Sequence, residues 1–159
     1  MPVTLQEGDK APNFKGLDQN DNTVQLADFK GKSLILYFYP KDNTPGCTKE
    51  ACNLRDNYDY WLKKDYAVVG VSPDNAASHQ KFIEKYDLPF PLIADTDQSV
   101  MEAYGTWGEK NMYGNIKMGV LRTTFVIDAD GVITKVFKRP KNDAHTEQIT
   151  QALEKLGKL

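Results

Sequence analysis

Residues 34–52 read LILYFYPKDNTPGCTKEAC, and this stretch decides the fold. It opens on an uninterrupted apolar run, which is typical of a strand buried on both faces of a sheet. A helix start follows, because Thr44 suits the N-cap position and Pro45 suits the first helical position. The sequence therefore predicts a strand, a short loop and a helix from about Pro45 to Lys64, with Cys47 in its first turn.

Further strands and helices are predicted on either side of this stretch. An N-terminal hairpin is indicated where residues 14–17 and 23–26 flank a turn-rich segment. Strands are predicted at residues 67–72, 90–94, 122–128 and 132–137, helices at 76–86, 97–104 and 143–156, and a Gly-rich loop at 105–119. The last two strands form a hairpin around Asp130-Gly131. This order predicts an α/β fold with a central mixed β-sheet flanked by helices.

Length and composition restrict the class of protein. With 159 residues, 40% of them hydrophobic, the chain suits a single domain over residues 1–159. The net charge of −2 comes from interspersed acidic and basic residues, so nucleic acid is not an expected partner. No apolar run approaches the roughly 20 residues of a membrane span, and the N-terminal residues do not resemble a secretory signal. We therefore expect a cytoplasmic protein that has no membrane partner.

The two cysteines, Cys47 and Cys52, carry the most specific chemical information. A thiol in the first turn of a helix lies near unpaired N–H groups and the positive end of the helix dipole, which favours the nucleophilic thiolate. On a regular helix the two Cα atoms would be about 8.7 Å apart, beyond the ~7 Å that a disulfide can span. A disulfide between them would therefore require at least one turn of helix to unwind.

Other interpretations of these residues remain open at this point. Cys52 alone is as consistent with a small buried side chain as with a reactive thiol. A zinc site built from both cysteines with His79 and His145 lacks the usual ligand spacing, and both histidines are expected on helices among polar neighbours. No glycine-rich phosphate loop is recognisable in the sequence. We therefore expect neither a metal nor a cofactor.

Several residues near the cysteines have two interpretations. Lys41, Asp42 and Glu50 could tune the reactivity of the site, but a solvated rim is the simpler expectation. Trp107 and Tyr113, in the predicted loop, could line a substrate or reductant surface, or could pack that loop against the core. The sequence alone leaves both questions open.

The pattern Pro-x-x-x-Thr-x-x-Cys at residues 40–47 resembles the active-site motif of peroxiredoxins. The longer stretch over residues 37–52 resembles the branch of the bacterioferritin comigratory protein, also called peroxiredoxin Q. Segments that begin near residues 107, 112 and 122 resemble the same branch. The resemblance therefore runs through most of the chain, from about Gly8 to the C-terminal helix.

This resemblance implies a thioredoxin-like fold and a thiol-dependent peroxidase that reduces hydrogen peroxide and organic hydroperoxides in antioxidant defence. Cys47 would be the peroxidatic cysteine, and Cys52 would resolve its sulfenic acid as an intramolecular disulfide. Thr44 would hydrogen-bond the thiolate and the peroxide, and Pro40 would shield the site from water. Arg122 would stabilise the thiolate and polarise the peroxide bond. Thioredoxin or a similar dithiol reductant would restore both thiols.

The position of the last cysteine bears on the oligomeric state. No cysteine follows Cys52 in the sequence, so a resolving thiol near the C-terminus of a partner subunit is excluded. A monomer is therefore sufficient for the implied reaction cycle.

Two other functions are weighed against the peroxidase. A thioredoxin-like disulfide reductase usually has Cys-x-x-Cys, and the four-residue spacer between Cys47 and Cys52 argues against it. A non-catalytic redox sensor or binding module would oxidise once and turn over poorly with thioredoxin. Reduction of insulin disulfides without peroxide would favour the reductase, and slow turnover with peroxide would favour the sensor.

Overall fold

The computed structural model of the protein describes residues 3–159. The strands are β1 (Lys15–Leu17), β2 (Thr23–Gln25), β3 (Ser33–Phe38), β4 (Tyr66–Ser72), β5 (Leu92–Ala94), β6 (Trp107–Met112), β7 (Asn115–Val120), β8 (Thr123–Ile127) and β9 (Ile133–Phe137). The α-helices are α1 (Pro45–Asp56), α2 (Tyr58–Lys63), α3 (Ala76–Tyr86), α4 (Ser99–Tyr104) and α5 (His145–Lys155). A short 3-10 helix, Leu26–Phe29, follows β2.

A central mixed sheet of five strands has the order β5-β4-β3-β8-β9. Strand β4 pairs in parallel with both β3 and β5, whereas β8 is antiparallel to both β3 and β9. The predicted N-terminal hairpin is present as β1-β2, and the predicted hairpin around Asp130-Gly131 is β8-β9. The central position of β3 places the loop that follows it, and the start of α1, at the middle of one sheet edge.

Strand β3 separates two hydrophobic cores because successive side chains of a strand point to opposite faces of the sheet. Leu34, Leu36 and Phe38 enter one core, which also contains residues of α4 and the N-terminal hairpin. Ile35 and Tyr37 enter the other core, together with residues of α1, α2, α3 and α5. All five side chains are at most 1% exposed, which explains why the sequence of β3 is apolar without alternation.

Two predicted elements differ from the structure. The helix predicted from Pro45 to Lys64 is interrupted at Asn57 (φ −108°, ψ 12°), which separates α1 from α2. The loop predicted at residues 105–119 is wrong, because this segment forms the antiparallel hairpin β6-β7. Tyr113 and Gly114 connect its strands with φ values of 55° and 85°, the left-handed conformation that a two-residue hairpin turn needs.

The helices are short relative to the thickness of a bilayer. Helix α1, the longest of those described, has 12 residues, whereas a transmembrane helix needs about 20. Within residues 3–159, no helix has the length and apolar character required to cross a membrane.

Candidate active site

Cys47 lies in the first turn of α1, as predicted. Thr44 occupies the N-cap position with extended backbone angles (φ −93°, ψ 156°), and Pro45 begins the helix. The thiol is nearly enclosed, since Cys47 is only 2% exposed. Backbone N–H groups in the first turn of a helix have no acceptor within that helix. They can therefore stabilise negative charge that develops on or beside the buried sulfur.

The hydroxyl group of Thr44 donates a hydrogen bond to the carbonyl oxygen of Lys41 at 2.9 Å. A hydroxyl has a single proton, so this contact leaves the Thr44 oxygen as an acceptor beside the start of α1. Pro40 is half-buried and begins the loop that ends at Thr44. Thr44 can therefore orient a bound molecule that carries an O–H donor.

Strand pairing brings Arg122 to the start of α1. Strand β8 is antiparallel to β3, and its first residue pairs with the last residue of β3, so Arg122 is level with the loop that follows β3. A Cβ atom added to Gly46 would come within 3.0 Å of Nη1 of Arg122. Nη2 of the same guanidinium donates to Oε1 of Glu50 at 2.7 Å. Arg122 thus reaches α1 at residues on both sides of Cys47.

Glu50 is completely buried, so the prediction of a solvated rim is wrong for this residue. Burial raises the pKa of its carboxyl to about 7, and the Arg122 guanidinium offsets part of that increase. Near neutral pH, the group therefore exchanges between a carboxylate that neutralises Arg122 and a neutral acid that does not. The sequence does contain a signal for this placement, because residues i and i+3, here Cys47 and Glu50, share one helix face.

His145 lies behind Glu50 at the start of α5 and is completely buried. Nε2 of His145 is 3.7 Å from Oε2 of Glu50 and 2.8 Å from the Thr124 hydroxyl, and Nδ1 is 2.9 Å from Oε1 of Gln148. Burial lowers the pKa of His145 to about 4, so its ring is neutral at pH 7. Nδ1–H then donates to Gln148, and Nε2 accepts from Thr124.

The two histidines are both on helices, as predicted, but their surroundings differ from the prediction. His79 in α3 and His145 in α5 are each 0% exposed. Neither is therefore a polar surface residue. Sequence reasoning missed both because the groups that enclose them, Asp42 for His79 and Thr124 for His145, lie on distant segments of the chain.

Cys52 lies in the same unbroken helix as Cys47, and both thiols are free. The helical geometry used for the prediction therefore applies, and a disulfide between them requires unwinding. The next residue, Asn53, is hydrogen-bonded to the start of α5. The Asn53 side chain donates to the carbonyl oxygen of Asp143 at 3.2 Å and accepts from the backbone N–H of Thr146 at 2.7 Å. Unwinding can therefore stop before Asn53.

The aromatic residues of the hairpin β6-β7 have different environments. Trp107 is half-buried and packs against the core, whereas Tyr113 is fully exposed at the tip of the hairpin. The core-packing interpretation therefore holds for Trp107 and not for Tyr113. An open pocket of about 360 Å³, lined in part by Lys110, Leu121 and Arg122, lies beside this hairpin.

Glu50 and His145 are expected to change the free energy of unfolding in opposite directions as pH changes. The pKa of Glu50 is raised from 4.5 to about 7, so stability that is fully present below pH 4.5 is lost as pH rises through 7. The pKa of His145 is lowered from 6.5 to about 4, so stability that is present above pH 6.5 is lost as pH falls through 4. Each effect amounts to about 3 kcal/mol, at roughly 1.4 kcal/mol per pH unit.

Urea unfolding between about pH 4 and about pH 8 tests this pair of effects. Relative to wild type, we expect Glu50→Gln to gain stability as pH rises and His145→Gln to gain stability as pH falls. Gln151→Ala, at an exposed position of α5, is a control that should follow wild type. The same pH dependence for both buried-site variants would contradict the assignment.

Comparison with known proteins indicates a family. Residues 7–136 match the AhpC/TSA family. Peroxiredoxin Bcp of Bacillus subtilis is 41% identical over 155 residues, which cover 98% of this chain and 99% of that protein. Peroxiredoxin Bcp of Escherichia coli K12 is 43% identical over 150 residues, which cover 94% of this chain and 96% of that protein.

Solved structures have the same architecture. A peroxiredoxin Q variant from Xylella fastidiosa superposes with a TM-score of 0.89 at 30% identity, covering 98% of this chain and 99% of that chain. The bacterioferritin comigratory protein of Xanthomonas campestris superposes with a TM-score of 0.85 at 29% identity, covering 96% of this chain and 98% of that chain. The predicted thioredoxin-like fold is therefore confirmed. Given this fold, the family match and the cysteine at the start of α1, the chain belongs to the AhpC/TSA family, in the Bcp branch of the peroxiredoxins, and is a thiol-dependent peroxidase.

Proposed function

We propose that the chain reduces hydrogen peroxide and organic hydroperoxides with Cys47 as the peroxidatic cysteine and Cys52 as the resolving cysteine. Thioredoxin or a similar dithiol protein then restores both thiols. One domain carries the complete cycle, and a monomer is sufficient because both cysteines belong to the same helix. The cytoplasm suits this cycle, since its thiol-reducing systems keep such dithiols available.

The first step oxidises Cys47. Its thiolate attacks the terminal oxygen of the hydroperoxide, the O–O bond breaks, and the bond's electron pair leaves on the distal alkoxide or hydroxide. The Thr44 oxygen accepts the O–H of the bound hydroperoxide, while Arg122 and the first-turn N–H groups stabilise charge on the leaving oxygen. The leaving group takes a proton from solvent and departs as alcohol or water. Cys47 is left as a sulfenic acid.

The second step forms and then removes a disulfide. The first turns of α1 unwind, and the Cys52 thiolate attacks the Cys47 sulfur, displacing hydroxide that leaves as water after protonation. Thiol–disulfide exchange with the dithiol reductant then transfers the disulfide to that protein. Cys47 and Cys52 return as thiols, and α1 can refold over the site. Pro40 lies at the entry of the same loop and limits access of water to the thiolate.

The position of Arg122 is the observation that carries this proposal. Breaking an O–O bond places negative charge on the leaving oxygen, and preorganised positive groups near that oxygen supply much of the rate. The Arg122 guanidinium lies against Gly46, next to Cys47, and is held there by buried Glu50. The Xanthomonas campestris structure is described by its alkyl peroxide reduction activity, which supports organic hydroperoxides as substrates here.

Rapid mixing of the reduced protein with one equivalent of hydrogen peroxide tests the proposed function. We expect loss of both thiols and a decrease in intact mass of about two hydrogens, because the sulfenic acid condenses to a disulfide. Retention of both thiols after minutes would overturn the proposal. Insulin reduction without peroxide is the matched control, and we expect a rate no greater than that of the dithiol reductant alone.

Arg122→Lys is expected to slow the oxidation of Cys47 about 100-fold, a loss typical of removing one preorganised donor. Lysine keeps the charge but lacks the planar fork that contacts Gly46 and Glu50 together. Stopped-flow measurement of the second-order rate with peroxide checks this expectation. Arg139→Lys, at an exposed position outside the site, should react as wild type does. An unchanged rate in Arg122→Lys would remove the guanidinium from the mechanism.

A further inference from the structure

A buried polar cluster joins the loop before α1 to helix α3. Asp42, predicted as part of a solvated rim, is only 8% exposed, and His79 is completely buried. Nδ1 of His79 is 2.7 Å from Oδ2 of Asp42, and Nε2 is 2.9 Å from the carbonyl oxygen of Ile93. Asp42 lies two residues before Thr44, so this contact fixes the segment that delivers Thr44 to the site.

Both ring nitrogens of His79 face hydrogen-bond acceptors. A carbonyl oxygen can only accept, so Nε2 carries a proton. Asp42 also accepts from the Tyr39 hydroxyl at 2.6 Å and from the Ser78 hydroxyl at 2.8 Å. These two hydroxyl donors stabilise the ionised carboxylate. A carboxylate can only accept, so Nδ1 also carries a proton and His79 pairs with Asp42 as an imidazolium.

The backbone beside Asp42 is held by further contacts. The Asp42 N–H donates to Oδ2 of Asp74 at 2.7 Å, and the same oxygen accepts from the Ser72 hydroxyl at 2.9 Å. The next residue, Asn43, has a left-handed φ of 58° and accepts from the Tyr86 hydroxyl at 3.0 Å. These contacts attach the loop to β4 and α3, elements that do not have to move when α1 unwinds.

Asp42, Asp74 and His79 also place potential metal-ligand atoms within 4.8 Å of one another. A metal ion would need an unprotonated ring nitrogen. The carbonyl oxygen of Ile93 requires the proton on Nε2, and the Asp42 carboxylate requires the proton on Nδ1. The hydrogen bonds therefore favour an ion pair over a metal site.

We propose that His79 is a positioning residue of the peroxidase reaction, whose imidazolium holds Asp42 and thereby the loop that presents Thr44 to Cys47. The proposal rests on the function proposed above. The Thr44 hydroxyl donates to the carbonyl of Lys41, the residue before Asp42. A displacement of Asp42 therefore changes the direction in which the Thr44 oxygen accepts. Misplacement by about 1 Å can cost a reaction roughly 100-fold in rate.

Nitrogen-15 NMR of histidine-labelled protein at pH 7 tests the charge state. The chain has two histidines, so each provides a reference for the other. We expect one ring with both nitrogens protonated, assigned to His79 by its loss in His79→Gln, and one neutral ring from His145. Two neutral rings would overturn the ion pair.

Rapid-mixing kinetics tests the positioning role. We expect His79→Gln to slow Cys47 oxidation roughly 10-fold or more, while disulfide formation after oxidation keeps its wild-type rate. The double variant Asp42→Asn/His79→Gln should recover part of the oxidation rate, because an amide pair replaces a buried carboxylate that has lost its counter-ion. Glu84→Gln, exposed on the same helix, is the control and should match wild type.

The outcomes separate this inference from the proposed function. If wild type itself fails to lose its thiols, the proposed function is wrong. If wild type reacts and His79→Gln reacts equally fast, only the positioning role is wrong. Circular dichroism establishes that each variant is folded. If His79→Gln is unfolded, Asp42→Asn supplies the same test from the other side of the pair, and an unchanged oxidation rate in that variant overturns the proposal.

Discussion

Cys47→Ser is expected to abolish peroxide turnover while leaving the fold intact. Serine differs from cysteine by one atom, so the change fits the nearly enclosed space at the start of α1. The hydroxyl is not ionised at neutral pH and is a weak nucleophile without an adjacent base. Arg122 and the N–H groups at the helix start cannot compensate, because they stabilise the negative charge of a thiolate and a neutral hydroxyl carries no such charge.

A coupled assay with thioredoxin, thioredoxin reductase and hydrogen peroxide checks this result. With Cys47→Ser, reductant should be consumed at the same rate as in the assay mixture without this protein. Its remaining thiol, Cys52, should survive one equivalent of peroxide, whereas wild type loses both. The melting temperature should stay near that of wild type, since the substitution removes little buried area. Measurable turnover by Cys47→Ser would assign the peroxidatic role to another group.

The sequence predicts best where one element carries its own signals. Thr44 and Pro45 mark the start of α1 without help from the rest of the chain, and the structure has the helix beginning at Pro45. The helix predicted at residues 76–86 matches α3 at both ends, because apolar residues recur at helical spacing. The Asp130-Gly131 turn predicts the β8-β9 hairpin for the same local reason.

Prediction fails where composition outweighs pattern. Strand β7 alternates Ile116, Met118 and Val120 with polar or small residues, a strand signal that the loop prediction overlooked. The glycines of the hairpin β6-β7 favour a loop prediction, although Gly114 is needed for the tight turn. Asn57 interrupts the helical segment after Cys52 without a proline or glycine to announce the break. Local composition does not distinguish these arrangements from the predicted ones.

In the candidate site, too, the sequence predicts what local motifs specify and misses what tertiary contacts create. The resemblance names Cys47, Thr44 and Arg122, but the buried charges that surround them depend on tertiary pairing. Glu50 needs Arg122, which the antiparallel pairing of β3 and β8 brings to it. An isolated glutamate or aspartate in a sequence is most often solvated. Only the fold shows which carboxylates are buried beside a cation.

Cys52→Ser is expected to permit one fast oxidation and then to stop. Cys47 retains its helix start, its Arg122 and its enclosed position, so the first reaction with peroxide should keep its wild-type rate. The sulfenic acid then has no thiol in the same helix to condense with. Steady turnover with thioredoxin should fall to the background rate, because thioredoxin is proposed to reduce a disulfide rather than a sulfenic acid.

Mass spectrometry after one equivalent of peroxide identifies the Cys47 sulfenic acid that is trapped in Cys52→Ser. Cys52→Ser should gain one oxygen, react with a sulfenic-acid probe, and progress to sulfinic acid as peroxide increases. A small external thiol should restore slow turnover by forming a mixed disulfide with Cys47. Cys47→Ser is the matched control and should gain no oxygen at that dose. Normal cycling of Cys52→Ser with thioredoxin would mean that the resolving thiol is not in this helix.

The same variant tests the unwinding step. In wild type, the disulfide cannot form while residues 45–52 remain helical, so oxidation should raise hydrogen exchange in those residues. Asn53 is hydrogen-bonded to the start of α5, and Leu54 and Trp61 are completely buried, so exchange beyond residue 52 should stay slow. In oxidised Cys52→Ser, where no disulfide forms, the first turns should remain protected. Equal exchange in both oxidised proteins would show that the sulfenic acid itself, and not disulfide formation, opens the helix.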